Sequence, residues 1–271
     1  MALITAGVDI GSTTSKSLIM KDGIVLSYVI GPSSANPPKI AEVVFEESCA
    51  RAGIARAEVR LIIGTGYGRA KVLFANDNVS EISCHGAGAH FLMPEVRTVI
   101  DIGGQDCKAV SLDDSGRLKN FAMNDKCAAG TGRFLDMMSR ILEVKVEELG
   151  NLDSQSKSPV SISNVCSVFA ESEVINLVNE GAHVPDIVKG LHMSLTNRVA
   201  VLVNRVGLRE KIVVTGGVAK NKGVIRALGQ KLGLDITHLD GIIDPQIIGA
   251  LGAAVLAERR IAKESSDAST G

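Results

Sequence analysis

Apolar and polar positions alternate in short blocks from the start of the chain. Thr5-Ala6-Gly7-Val8 leads into a polar turn from Asp9 to Lys16, then the apolar Leu18-Ile19-Met20, the turn Lys21-Asp22-Gly23, and a further apolar run Ile24-Val25-Leu26. Short aliphatic runs separated by Gly, Ser and Asp predict strand, turn, strand, Asp-Gly hairpin and strand. From Pro37 to Gly53 the apolar Ile40, Val43, Val44 and Cys49 recur at helical spacing and Gly53 supplies a stop. A strand at Leu61-Ile62-Ile63 and the turn Gly64-Thr65-Gly66-Tyr67-Gly68 come next.

The pattern then returns. Arg97-Thr98-Val99-Ile100 leads into Asp101-Ile102-Gly103-Gly104-Gln105-Asp106-Cys107-Lys108, the apolar Ala109-Val110-Ser111-Leu112, the turn Asp113-Asp114-Ser115-Gly116, and Arg117-Leu118. Both copies read Asp-Ile-Gly, four residues, Lys. A helix from about Pro185 to Val206, the strand Lys211-Ile212-Val213-Val214 and the turn Thr215 to Asn221 complete the second copy. An internal repeat of this size predicts a duplicated α/β fold with two similar lobes. The second copy carries an insertion, 120–181. Beyond Asn221 a helix is expected over Val224 to Leu232, a short strand at Asp235-Ile236-Thr237, and a small-residue helix from Ile247 to Ile261. The expected domains are an N-terminal lobe 1–95, a C-terminal lobe 96–246, a helix 247–262 packing back on the N-terminal lobe, and a disordered Ser/Asp/Gly-rich tail 263–271.

Composition narrows the function. With 271 residues, 45% of them hydrophobic, the chain can bury one large core or two moderate ones, and 29 basic against 30 acidic residues nearly cancel, for a net charge of −1. Nucleic acid and anionic membrane surfaces are therefore poor partners. The opening region carries Asp9, Lys16, Lys21 and Asp22, which fits neither a signal peptide nor a membrane span, so a cytoplasmic protein is expected. Five cysteines, an odd number, argue for free thiols or cofactor ligands rather than a disulfide framework.

The turn Gly11-Ser12-Thr13-Thr14 offers backbone N–H groups and hydroxyls to a phosphate, with Lys16 as a nearby cation. Gly103-Gly104-Gln105 of the second copy is expected to face it across a cleft. Asp9 and Asp101 can organise magnesium through water, and Gln105 can orient an attacking water. Gly216 and Gly217, after a buried strand, let a base or ribose approach the main chain, and Lys220 is grouped with them. A Walker A loop fails on spacing, because Ser15 rather than glycine immediately precedes Lys16; a Rossmann fingerprint fails at Gly64 to Gly68. One Gly-rich turn is usually only a turn, whereas three at strand ends in a duplicated unit point to nucleotide binding.

Two thiols stand in a particular context. Asn124 to Phe134, with Cys127, opens a helix, and Ser163-Asn164-Val165-Cys166-Ser167 opens another with Ser167 as the expected N-cap. A helix N-terminus favours a thiolate. Cys49, Cys84 and Cys107 read instead as small buried hydrophobes.

The motifs Asp9 to Thr13, Thr65 to Arg69, Asp101 to Asp106, Asn124 to Gly132, Phe169 to Glu173 and Gly216 to Ala219 together carry a family resemblance. The chain closely resembles the ATP-dependent activators (component A) of 2-hydroxyacyl-CoA dehydratases, of the BadF/BadG/BcrA/BcrD type, which are similar to the ATPase subunits of benzoyl-CoA reductases. The resemblance implies the actin/Hsp70/sugar-kinase (ribonuclease H-like) fold, ATP or ADP with Mg2+, and a homodimer sharing one [4Fe-4S] cluster held by Cys127 and Cys166 of each chain. It also implies ferredoxin or flavodoxin as electron donor and a dehydratase or reductase as acceptor. The family commonly has Ser-Ser-Thr-Cys-Thr at the second ligand, where this chain has Ser163-Asn164-Val165-Cys166-Ser167. Other readings are the electron-activating component of a benzoyl-CoA reductase-like enzyme, a small-molecule kinase of the same fold, and a nucleotide-gated binding module.

Overall fold

The computed structural model describes residues 3–163, 166–239 and 241–269. They form two compact units, one from within 1–97, 112–118 and 240–271, the other from within 98–111 and 119–239.

In the first unit, β1 (Ile4–Ile10), β2 (Thr14–Lys21), β3 (Ile24–Pro32), β4 (Leu61–Thr65) and β5 (Asp77–Asn78) form one sheet in the order β3-β2-β1-β4-β5. β1 pairs antiparallel with β2 and parallel with β4. Its seven residues are all buried, and their period-two alternation assigns one set to each face. Ala6, Val8 and Ile10 join the cluster of Val44, Phe45 and Cys49 from α1 (Pro37–Ala52). On the other face Thr5 Oγ1 donates to the Ala254 carbonyl of α8 (Ile248–Ser269), and a Cβ on Gly7 would strike the Ala250 carbonyl. The hairpin between β2 and β3 turns through Asp22 and Gly23, both with positive φ, as the Asp-Gly pair predicts. The Asn36 side chain caps α1 through the Lys39 N–H, and Gly53, in the left-handed region, ends it.

The second unit repeats this topology. β6 (Thr98–Ile102), β7 (Cys107–Leu112), β8 (Leu118–Asn124), β9 (Ile212–Thr215) and β10 (Ile236–Thr237) run in the order β10-β9-β6-β7-β8, with β6 antiparallel to β7 and parallel to β9. Ile100, Ile102 and Val214 share a core with Phe134 and Met138 of α3 (Gly132–Ile141), Leu191 and Val203 of α6 (Val184–Val206), and Leu228 of α7 (Lys222–Leu232). The insertion supplies α3, the short α4 (Leu149–Asp153) and α5 (Ser167–Asn179).

Four details depart from the sequence expectations. Helix α2 (Glu81–Leu92) has no periodic signal, because its buried face is Cys84, His85, Gly86, Ala87, Gly88 and Ala89. It forms against α8, where Cβ atoms on Gly88 and Gly252 would hit backbone of the facing helix. Helix α8 continues to Ser269 in place of a disordered tail; Ser265 and Ser266 hydroxyls bond back to the Ile261 and Lys263 carbonyls, and Arg260 pairs with Glu264. The β7–β8 turn belongs to the first unit, since Arg97 pairs with Asp114 at 3.0 Å and His90 fills the space beside Gly116. The first unit also takes up residues from 241 on, before the expected boundary at 246. Among the described residues no helix is long and apolar enough to cross a membrane.

Candidate nucleotide and thiol sites

The two repeated turns are built alike. In the first unit Asp9 and Lys16 are paired across β1 and β2, and Lys16 Nζ lies 3.3 Å from Asp9 Oδ2 with both side chains largely buried. The Gly11 N–H closes the turn on the Thr14 carbonyl at 3.1 Å, and Ser33 fastens it by donating to the Gly11 carbonyl at 2.7 Å. Ser12 is half-buried and Thr13 is exposed at its tip. Asp9 is enclosed: a Cβ on Gly66, which has φ +88°, would meet its Oδ1, and one on Gly249 would come within 2.8 Å of its Oδ2 and 3.0 Å of His85 Nε2.

In the second unit Asp101 and Lys108 occupy the same register, with Nζ 3.2 Å from Asp101 Oδ2 and 2.8 Å from Asp106 Oδ1. Thr215 Oγ1 donates to Asp101 Oδ1 at 3.1 Å. A Cβ on Gly216, at φ +84°, would fall 2.7 Å from that same oxygen, so Gly216 stands against Asp101 as Gly66 stands against Asp9, with Thr215 and Thr65 at the same strand register. Both Asp101 oxygens are thus engaged by the protein, which suits contact with a metal through water rather than directly. Gly103 and Gly104 are half-buried, Gln105 is exposed at the turn, and Gly217 and Lys220 are exposed after β9.

Helix α3 is tied to this turn. Its first amides, Gly132 N–H and Arg133 N–H, donate to the Gly103 and Gly104 carbonyls at 2.8 and 2.9 Å. Those donors are therefore spent on backbone rather than offered to Cys127, which precedes the helix by a loop instead of sitting at its start. The Cys127 carbonyl accepts from Asn124 Nδ2 at 3.0 Å, and the Arg198 guanidinium stands 3.7 Å from Cys127 Sγ. A cavity of about 320 Å³ lined in part by Met123, Gly130, Arg198 and Arg205 opens beside this loop. Cys166 itself, rather than Ser167, is the N-cap of α5, with extended backbone and its carbonyl accepting from Ala170 N–H at 3.1 Å. Asn164 and Val165, part of the expected departure from the family pattern, lie outside the described residues.

The five thiols fall into two groups. Cys49, Cys84 and Cys107 are buried, and burial pushes their pKa up, to about 11 for Cys49 and about 12 for Cys84. Cys127 and Cys166 are half-buried.

A family model for the BadF/BadG/BcrA/BcrD ATPases matches residues 6–257. The chain belongs to the BadF/BadG/BcrA/BcrD ATPase family. It is 48% identical over 259 residues to the 2-hydroxyisocaproyl-CoA dehydratase activator of Clostridioides difficile, covering 94% of this chain and 95% of that protein. The solved activator of the 2-hydroxyisocaproyl-CoA dehydratase from Clostridium difficile with bound ADPNP superposes with a TM-score of 0.89 at 46% identity, over 98% of this chain and 97% of that one. A glucokinase of the ROK family from Streptomyces griseus shares the fold alone, at a TM-score of 0.59 and 15% identity over 94% and 99% of the two chains. The fold is thus the actin-like and sugar-kinase α/β architecture that the family resemblance implies.

Within this ATPase family fold, several residues around the turns take roles that the sequence did not assign to them. Lys108 neutralises two carboxylates, Thr215 anchors Asp101, and His85 with Gly249 closes over Asp9. The repeat marks Lys108, which aligns with Lys16, and could have pointed to Thr65-Gly66, since it aligns with Thr215-Gly216. His85 could not have been found, because α2 has no periodic signature. Among the described residues no three His, Cys, Asp or Glu side chains group to hold a metal ion.

Proposed function

We propose that the chain is an ATP-hydrolysing electron-transfer activator that injects a low-potential electron into a 2-hydroxyacyl-CoA dehydratase. The observation that carries the reading is the division of its thiols: two half-buried ones on the unit whose phosphate turn is hydrogen-bonded to α3, against three that are buried. Half-buried thiols with a guanidinium close to one of them suit an iron–sulfur cluster, and four thiolates require two copies of the chain. Cys127 and Cys166 of each protomer would hold it. When bound there, such a cluster would supply one-electron transfer between a ferredoxin or flavodoxin and the partner enzyme.

The remaining roles fall to the repeated turns. Gly11, Ser12, Thr13, Thr14 and Lys16, with Gly103 and Gly104, hold the phosphates; Gly216, Gly217 and Lys220 hold the nucleoside end. Asp9 and Asp101 would hold Mg2+ through water, where it would supply charge neutralisation of the phosphates, and Gln105 would align the water that attacks the γ-phosphate. Loss of that phosphate shifts the Gly103-Gly104 turn. The shift reaches α3 and the Cys127 loop through the two amide hydrogen bonds, which gives hydrolysis a mechanical route to the thiols.

Iron analysis of protein purified without oxygen tests the reading. About two irons per chain are expected, from a four-iron cluster on four cysteines, lost in Cys127→Ala and Cys166→Ala but kept in Cys49→Ala. About four irons per chain, or a cluster that survives Cys127→Ala, would overturn it.

A further inference from the structure

The nucleotide turn after β9 is held at its far end by a buried polar chain that the proposed chemistry does not use. His192 on α6 is fully buried. Its Nδ1 lies 2.9 Å from Asp153 Oδ2 at the end of α4, and its Nε2 lies 3.1 Å from Asn221 Nδ2. The direction of these bonds is fixed by Asn221. Its Oδ1 caps α7 by accepting the Gly223 and Val224 N–H groups at 2.9 and 3.1 Å, so the side-chain NH2 must face the imidazole. Nε2 therefore accepts and Nδ1–H donates to Asp153. The second Asp153 oxygen accepts from Arg226 at 2.8 Å, and Arg226 also holds the Gly150 carbonyl at 2.9 Å.

Packing leaves this arrangement no slack. A Cβ on Gly223 would fall 2.6 Å from His192 Cε1, and one on Gly150 would fall 3.1 Å from Asn221 Oδ1. Asn221 closes the turn Gly217–Lys220, its N–H donating to the Val218 carbonyl at 2.9 Å. The near end of the same segment is pinned by Gly216 against Asp101 and Ile102. An imidazole sealed from water is costly unless both nitrogens are satisfied, and an apolar ring would fill the same volume without that demand. What the imidazole adds is a fixed orientation for the Asn221 side chain.

We infer that His192 is a positioning residue for nucleotide binding: through the Asp153–His192–Asn221 chain it sets the turn that carries Gly216, Gly217 and Lys220. The inference rests on the nucleotide site proposed above. Because Asp153 belongs to the insertion that also carries Cys127 and Cys166, the same chain fastens that insertion to the turn holding the nucleoside. A turn held in place before the ligand arrives binds more tightly than one ordered by it, since the ordering entropy is already spent.

The test compares ADP with tripolyphosphate, which has the phosphates and no nucleoside, as ligands of the whole anaerobically purified protein. In His192→Phe, which keeps the ring volume and removes both hydrogen bonds, ADP affinity falls about tenfold, the scale of one or two side chains left to be ordered. Tripolyphosphate affinity and turnover at saturating ATP stay within about twofold of wild type, so KM moves and kcat does not. Hydrogen exchange at the Ala219 and Asn221 amides rises. Should His192→Phe not fold, His192→Gln carries the same comparison, with a smaller ADP loss because one hydrogen bond can re-form. Unchanged ADP affinity in a folded variant overturns the inference, as does an equal loss for ADP and tripolyphosphate. Wild-type protein that binds no ADP would instead remove the nucleotide site on which the inference rests.

Discussion

The thiols offer a quantitative check on which cysteines are available for chemistry. At about pH 8 a free thiol with a pKa of 9.0 is roughly one-tenth thiolate, the nucleophilic form. Burial together with the nearby Glu46 pushes Cys49 to about 11, which lowers that fraction roughly 100-fold; Cys84, pushed by burial to about 12, loses roughly 1000-fold. Cys107 is pushed up by burial as well, beside Asp101. Restricted access lowers the rates of all three further. Cluster-free, folded protein given a brief pulse of iodoacetamide should therefore carry label on the peptides containing Cys127 and Cys166, and the other three cysteines should label only after unfolding. Mass spectrometry of the digested protein measures this directly. Labelling of Cys49 or Cys84 within about tenfold of the rate of a free small-molecule thiol measured alongside, in protein whose circular dichroism is native, would refute the reasoning, because the separation worked from thiolate fractions alone is wider than that.

The ion pairs give two further expected outcomes. Lys108→Met removes the cation between Asp101 and Asp106, leaving buried charge unpaired, and should cost about 3–5 kcal/mol in the stability of the second unit; Asp101→Asn in the same chain should recover part of it. Hydrogen exchange of the β6 amides reads that unit, and a loss below about 1 kcal/mol would count against the pair as described. For Asp153, burial alone would raise the carboxyl, but the hydrogen bonds from His192 and Arg226 win and hold its pKa below 3.8. A depressed folded pKa contributes stability that is present above the unfolded value and is lost as pH falls through the folded one. The destabilisation by Asp153→Asn should accordingly be full at neutral pH and shrink below about pH 4 in denaturant titrations; a penalty that grows on acidification would contradict this sign.

By itself the sequence determined the duplication and most of its structural consequences. Asp-Ile-Gly, four residues and Lys, stated twice, locate both turns and the paired lysines, since strand alternation and Gly-containing turns are local properties of the chain. The burial of the cysteines was legible for a similar reason: Cys49 lies on a helix's apolar face, whereas Cys127 and Cys166 precede helices. Residues close in sequence also set the caps of α1 and α7 and the Asp22-Gly23 turn.

Tertiary structure decided the rest. Helix α2 exists because α8 offers a groove for a Gly- and Ala-rich face, and a pattern of small residues carries no period until its partner is present. The α3 amides point at the Gly103 and Gly104 carbonyls rather than at Cys127, a choice set by how the insertion returns to the sheet. Asp153, His192 and Asn221 come from three helices or their caps far apart along the chain, and nothing local marks any of them as a partner of the others. Hydrogen bonds between distant segments depend on where packing brings the backbone. Hydrophobic periodicity records which face of an element is buried, but not which polar atom on another element will meet it there.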